Sequence, residues 1–342
     1  MALKSYRLFF LSIVIAIANS IVIRELVVVD QHGLGNFTTI REALAAAPNG
    51  TDINGGFFQI HIKGGIYEEY VSVAYNKKNI MMTGDGKNIT IISGNRSVGD
   101  GWKTSDAWSF DVNGEHFIAI NMTFRNIAGA AKAQALAVQN NANLSAFYNC
   151  SFEGFQDTLC ASTGLQFYRN CDIYGTIDFI FGYATAVFQN CNIYVRLPLQ
   201  GQSCVIAAHG RRAANNNTGY SFQHCKISAS PDLASRGGST KTYLGRPWGP
   251  YSRTVYMQSI MDALVDPLGW LAWDEKTNYT STLYYGEYNN TGLGSKLDQR
   301  VKWPGNHAHM SEDDAINFVV SNFISGDSWL PATGIPFQRN LL

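Results

Sequence analysis

Two aspartates 21 positions apart carry the most chemical promise in this sequence: Asp157 in GFQDTL and Asp178 in GTIDFIFG. Two glutamines accompany them, Gln134 in AQALAVQ and Gln156 next to Asp157, 22 positions apart. Loop aspartates commonly do no more than cap turns. If one period of a repeating chain separates these residues, however, all four gather on a single patch, with two carboxylates on adjacent rungs and amide donors beside them. Like charges that close do not both ionise easily, so at mildly acidic pH one carboxyl keeps its proton while the other is anionic. That division draws a general acid and a nucleophile from one residue type, as acyl transfer requires.

A period of the required length is present. The segments INMTFRNIAG (120–129), FYNCSFEGFQ (147–156), YRNCDIYGTI (168–177), FQNCNIYVRL (188–197) and FQHCKISASP (222–231) share a core around Asn-Cys-x-Ile/Phe. Cys150, Cys171 and Cys191 are 21 and 20 residues apart, and Cys225 follows after a longer insertion. Short β-branched and aromatic runs recurring at about 20–25 residues predict an all-β parallel solenoid, in which each coil buries its inward side chains only by stacking on the next. Aligned coils lie about 4.8 Å apart, so residues one period apart become neighbours on one face. The same stacking allows disulfides Cys150–Cys171 and Cys191–Cys225, or alternatively an inward ladder of free thiols. A short helix is expected in NFTTIREALAAAP (36–48), where Thr39 and Glu42 form a capping box and Pro48 stops the run. A second capping-box helix is expected in SEDDAINFVVSNFI (311–324), which with SWLPATGIPF would cover the solenoid edge and last coils.

Composition narrows the class. The chain has 342 residues, 46% hydrophobic and 13% aromatic, so it is not disordered, and 26 basic residues balance 26 acidic ones, so no polyanion-binding excess exists. Lys4 and Arg7 precede an apolar run from Leu8 to Ala18 and small residues at Ala16, Ala18 and Ser20, the layout of a secretory signal over residues 1–20. One catalytic-size domain over 21–342 is then expected, beginning almost at once. Asn-x-Ser/Thr sites at Asn36, Asn49, Asn88, Asn95, Asn121, Asn143, Asn216, Asn278 and Asn289 fit a secreted glycoprotein. No Cys-x-x-Cys or Cys/His cluster occurs, so neither a metal site nor a cofactor is expected.

GGIYEEYV (64–71), QALAV (134–138), GFQDTL (154–159), GTIDFIFG (175–182) and YLGRPWG (243–249) resemble, in order and spacing, the signature segments of plant pectin methylesterases. GEYNNTG (286–292), RVKWPG (300–305) and SWLPATG (328–334) are similar to that family's C-terminal region, so the resemblance runs from about Val27 to Phe337. It implies a right-handed parallel β-helix and hydrolysis of the methyl esters of homogalacturonan in the cell wall, without a cofactor, by a monomer, with proteinaceous pectinesterase inhibitors as partners. Asp178 would be the nucleophile, Asp157 the acid and then the base, and Gln134 and Gln156 the oxyanion donors. Arg246 would pair with Asp178 and hold it anionic. Trp248 would stack on a galacturonate ring, with Thr104 and Phe181 lining the groove. Gly65, Tyr67 and Glu69 are expected to brace an early coil.

The sequence departs from the family pattern at Cys160, where a tyrosine is usual, at Cys204 and His209, and at Ala133, where a histidine is frequent. A Cys160–Cys204 bridge is conceivable. A Ser-His-Asp esterase is unsupported, because there is no GxSxG and no histidine completes a triad after the GDS of 326–328. A β-helix lyase or polygalacturonase would need acidic clusters that the sequence does not show, and a non-catalytic wall-binding protein is the alternative of a different class.

Overall fold

The computed structural model describes residues 21–236, 240–274 and 279–342. The expected signal at 1–20 and the site at Asn278 lie outside the described residues. Among those described, no helix is long and apolar enough to cross a membrane.

Three sheets of eleven, eight and seven strands run the length of a parallel β-helix. One coil shows how it is wound. Ser151–Glu153 belongs to the eight-stranded sheet, Leu159–Ala161 to the seven-stranded sheet and Leu165–Arg169 to the eleven-stranded sheet. Asp172–Gly175 then pairs in parallel with Ser151–Glu153 one rung on. The turn back from the long sheet passes through one residue with positive φ in successive coils: Asn121, Asn149, Asn170, Asn190, His224, Gln258 and Asn289, all between 48° and 58°. Asparagine tolerates this left-handed conformation better than most residues, which accounts for the Asn in the repeated motif.

The residue after that turn points inward. Cys150, Cys171, Cys191 and Cys225 are buried free thiols, so the ladder and not the two disulfides is what the fold contains. The reason is directional. Each Sγ donates to a carbonyl of the preceding coil, from Cys150 to Ala119 (3.4 Å), Cys171 to Phe147 (3.4 Å), Cys191 to Tyr168 (3.4 Å) and Cys225 to Phe188 (3.3 Å). Each thiol hydrogen is thus directed at backbone along the stack. A second ladder stacks Phe147, Tyr168, Phe188, Phe222 and Tyr256 in register, with centroids 4.4–5.2 Å apart and interplanar angles of 7–12°. Such offset stacks add to the burial each ring already contributes.

The N-terminal helix is Ile40–Ala46, with the Thr39–Glu42 capping box formed and Ile40, Ala43 and Leu44 buried. The Glu69 carboxylate accepts from the Ile40 and Arg41 amides at its first turn, and Tyr67 Oη donates to the Lys63 carbonyl, so the GxYxE segment braces this end of the coil. The C-terminal segment departs from expectation. Its capping box at Ser311 and Asp314 forms, but the helix breaks into Glu312–Ala315, a 3₁₀ turn Ile316–Phe318 and Val320–Phe323, with Val319 extended at ψ 161°. The adjacent β-branched valines favour such a break. It lets Phe318, Val319, Val320 and Phe323 all pack on the outer face of the long sheet, against residues such as Phe167, Val187 and Val255. The segment therefore covers a flank of the solenoid as well as its last coils.

Candidate active site

The turn between the eight- and seven-stranded sheets carries the candidate residues, one coil after another. Gln134 and Gln156 face each other across a parallel bridge, and the Asp157 amide donates to Ile177 O (3.0 Å), which puts Asp178 in register with Asp157. Both aspartates have positive φ, 61° and 49°. The local sequence makes this turn in the same way twice. Gly154 and Gly175 stand three residues before each aspartate, and a Cβ at either would meet the side chain four residues on, Thr158 Oγ1 at 2.6 Å or Phe179 Cβ at 2.1 Å. Thr158 Oγ1 also donates to the Tyr174 carbonyl at 2.8 Å, fixing one turn on the next.

Beyond the turn, the seven-stranded sheet alternates as a strand should. Leu159 and Ala161 enter the core while Cys160 faces out, in register with Gln139 on one side and Phe181, then Ala208, on the other. These outward residues floor a cleft of ≈ 470 Å³ whose walls include all five expected catalytic residues together with Thr104, Phe181 and Trp248. Asp178 receives a two-pronged ion pair from Arg246, Nε to Oδ1 at 2.8 Å and Nη2 to Oδ2 at 2.6 Å. Arg246 directly follows the strand Thr242–Gly245, its amide held by Ala207 O, and the central carbon of its guanidinium lies over the Trp273 ring, 4.5 Å from the centroid.

The electrostatics separate the two carboxyls. Burial lifts Asp157 well above the ordinary carboxylate range, the negative charge of Asp178 lifts it further, and Arg246 only partly opposes this. Burial also raises Asp178, but the Arg246 hydrogen bonds and charge hold it back. The pair thus keeps its proton on Asp157 and its charge on Asp178. Burial alone works against the Arg246 charge, yet its bond to Asp178 leaves the guanidinium pKa raised, so the ion pair stays ionised. Neither Gln134 nor Gln156 has a side-chain hydrogen-bond partner among the described residues, so both amides are free to donate into the cleft.

Trp248 leans on Phe181 (6.0 Å, 63°) and Tyr183 (4.7 Å, 36°), forming an aromatic wall. The sequence reading missed Tyr183, Gln139, Ser105 and Trp273, which also line the cleft. Strand alternation from Phe181 pointed to Tyr183, and the 21-residue register from Cys160 pointed to Gln139. Trp273 carries no such signal, because it arrives on a non-repeating segment. Cys160 lies in the outward apolar cluster and Cys204 in the core, on opposite faces of the same sheet, so no bridge joins them. His209 is a core residue. Burial pushes its pKa down to about 3, its Nε2 donates to Ala184 O, and its Nδ1 accepts from the Arg211 and Arg253 amides. Among the described residues, no group of three or more His, Cys, Asp or Glu could hold a metal ion.

The structure is thus a parallel β-helix with an arginine-paired carboxylate and a second, protonated carboxyl beside it in an aromatic-walled cleft. Comparison with known proteins gives the family: residues 26–327 match the Pectinesterase model, and the chain belongs to that family. It is 52% identical over 324 residues to the probable pectinesterase/pectinesterase inhibitor 41 of Arabidopsis thaliana, covering 95% of this chain and 56% of the relative. With the probable pectinesterase/pectinesterase inhibitor 25 of the same plant it shares 54% over 324 residues, covering 94% and 52%. The chain thus spans just over half the length of these curated relatives. The solved structure of a pectin methylesterase from carrot superposes with a TM-score of 0.88 at 43% identity, covering 94% of this chain and 98% of that one. The fold is the right-handed parallel β-helix of those enzymes.

Proposed function

We propose that this chain hydrolyses the methyl esters of homogalacturonan, releasing methanol and leaving pectate. In the proposed cycle, an Asp178 oxygen attacks the ester carbonyl carbon, and the carbonyl π electrons move onto oxygen. The Gln134 and Gln156 amides donate to that oxyanion, where one well-placed donor is typically worth about 3–4 kcal/mol of barrier. As the oxyanion collapses, the bond to methoxide breaks and Asp157 gives the leaving oxygen its proton. The product is methanol and an anhydride between Asp178 and the sugar acid. Asp157, now anionic, takes a proton from water as the water oxygen attacks the sugar carbonyl of the anhydride. Breakage of the anhydride returns Asp178 as a carboxylate and Asp157 as an acid. Trp248, Phe181 and Thr104 hold the sugar chain. Partial de-esterified chains are themselves acidic, so the neutral net charge of this protein leaves their recognition to local groups.

The observation that carries this reading is the asymmetry of the pair, with Arg246 chelating one carboxylate while burial and that carboxylate's charge protonate the other. A similar solved structure, a pectin methylesterase mutant in complex with a hexasaccharide at 25% identity and TM-score 0.72, supports the same substrate class. We further propose secretion to the cell wall, directed by residues 1–20, a catalytic domain over 21–342 acting as a monomer, and control by proteinaceous pectinesterase inhibitors. Highly methyl-esterified pectin incubated with the protein should release methanol and acid in equal amounts, with no unsaturated ends and no chain cuts. Asp178→Ala should lower that rate at least a thousandfold. Methanol release surviving in that variant, or its absence in the wild type, would sink the reading.

A further inference from the structure

The outward face of the seven-stranded sheet carries one side chain per coil in a row, and one end of that row is polar. Ser72 pairs with Asp111, Asp111 with Gln139, Gln139 with Cys160, Cys160 with Phe181 and Phe181 with Ala208. Asp111 is buried, and burying a carboxylate is destabilising unless its oxygens are hydrogen-bonded. Four uncharged donors meet it here: Ser72 Oγ (2.8 Å) and Asn113 Nδ2 (2.6 Å) at Oδ2, Gln139 Nε2 and Asn141 Nδ2 (both 3.2 Å) at Oδ1. Burial raises the pKa of Asp111, and these four bonds oppose the rise. The proposed cycle uses none of these groups.

The consequence falls on Gln139, which of these five residues is the one that lines the cleft. A carboxylate only accepts, so it holds the Gln139 amide with Nε2 toward Asp111 and Oε1 away from it. Oε1 has no hydrogen-bond partner among the described residues and is not enclosed. The cleft floor therefore presents a fixed acceptor, the opposite sense to the N–H groups that Gln134 and Gln156 offer. Gln139 adjoins Cys160, which lies three residues past Asp157, so its row runs about 10 Å to the side of the carboxylate row. In a galacturonate ring C2 lies directly across from C5, the carbon that bears the ester group, with C3 beside it. A sugar whose ester meets Asp178 thus reaches toward the Gln139 row with the edge that carries its secondary hydroxyls.

We propose that Gln139 selects a free secondary hydroxyl at C2 or C3 of the sugar, accepting its hydrogen bond at Oε1, and that Asp111 is the positioning residue that fixes the amide in this sense. The inference rests on the function proposed above and adds a property of the substrate. Methyl esters are cleaved fastest where these hydroxyls carry no acyl group, because an O-acetyl group has no hydrogen to donate and brings its own carbonyl oxygen up to that of Gln139.

The test compares wild type, Gln139→Ala, which removes the acceptor, and Asp111→Asn, which keeps the size of the side chain while letting the Gln139 amide turn over. For each, kcat/KM is measured on methyl-esterified galacturonate hexamers with and without O-acetyl groups at C2 and C3, and binding of both hexamers by calorimetry. The ratio between the two substrates is read within one protein, so a variant that folds only in part still reports it. Wild type should favour the unacetylated hexamer about tenfold, a size that one hydrogen bond between uncharged groups can supply. In both variants the preference should fall to about twofold, through a raised KM on the unacetylated hexamer with kcat little changed. An unchanged ratio in Gln139→Ala, or equal treatment of the two hexamers by wild type, overturns the hydroxyl site. A ratio that moves in Gln139→Ala and not in Asp111→Asn overturns the positioning role, since a change of space alone would leave the second variant untouched. A wild type that binds the hexamers with the stated preference and releases no methanol removes the esterase reading and supports the site, whereas one that binds neither overturns it.

Discussion

The proposed division of labour between two identical side chains depends on one guanidinium. Arg246 opposes the burial that would otherwise keep a proton on Asp178, so replacing it should shift the acidic limb of the pH–rate curve. The sign follows from the roles. In the proposed cycle, activity should be lost on acidification as Asp178 takes up a proton and on alkalinisation as Asp157 gives one up. An adjacent opposite charge typically moves a carboxyl by 1–3 units, so Arg246→Gln should raise the acidic limb of kcat/KM by about 1–3 pH units in addition to slowing the reaction. An unmoved acidic limb in the variant would show that Arg246 positions without tuning. Asp157 predicts an effect on stability. Its pKa is raised in the fold, so the native state binds the proton more tightly than the unfolded chain, whose aspartates titrate near 3.9. Relative to a permanently neutral residue, wild type loses stability as pH rises above about 4 and increasingly toward neutrality. Asp157→Asn should therefore melt at higher temperature than wild type at pH 7, with the gap shrinking toward pH 4, while methanol release collapses. A gap constant across that range would mean that packing, and not ionisation, separates the two proteins. The proposed catalytic acid is then held at a cost that a neutral amide avoids.

Between residues and the whole fold stands the single coil, and most of what could be read in the sequence is legible at this scale. The Asn-Cys pair recurs because one residue must tolerate a left-handed turn and the next must fit a narrow interior, two local demands that each leave a residue type behind. The same period located Asp157, Asp178, Gln134 and Gln156, since a parallel in-register solenoid converts 21 residues of sequence into one rung of space. What stayed hidden depends on contacts without a period. Trp273 reaches Arg246 on a segment between strands, and the break in the 311–324 helix lets Phe318, Val319, Val320 and Phe323 all pack on the apolar outer face of the long sheet. The choice between disulfides and thiols was equally invisible, because adjacent rungs lie within the separation that either requires. Burial raises the Cys150, Cys171 and Cys191 thiols well above their ordinary range, so these should be inert in the fold. Iodoacetamide should leave all six cysteines unmodified on the native protein and label all six after unfolding without reductant. Fewer than six labels under those conditions would establish a bridge.

At the scale of the molecule, a solenoid has a weakness that this chain answers with its C-terminal segment. Stacked coils touch only their neighbours, so unfolding can begin at an end and proceed coil by coil. Here the segment after Ser311 lies along the long sheet. Phe318 O accepts from Ser221 Oγ and Gln223 Nε2, and Gln189 exchanges two hydrogen bonds with the backbone of Gln338. The same apolar cluster contains Phe57 and Met81 from the first coils and Val255 and Met257 from late ones, with Leu330 fully buried within it. Farther along, a Cβ on Gly334, at φ +67°, would lie 2.6 Å from Ile21, so the segment reaches the first described residue of the chain. The strap therefore joins both ends of the stack and should make coils that are distant in sequence unfold together. Leu330→Ala removes a buried side chain from this joint, at a cost of about 2–5 kcal/mol. If the strap confers cooperativity, its calorimetric transition should broaden or split, and hydrogen exchange should rise first in the Ile23–Val29 and Phe57–Ile62 strands, far from the substitution in the coil order. A cavity of similar cost made inside the ladder by Phe188→Ala, about 3–5 kcal/mol, should lower the melting temperature while leaving one transition. Two variants with the same transition shape, or exchange confined to the strap itself, would mean that the segment only shields the sheet and that the coils already hold one another.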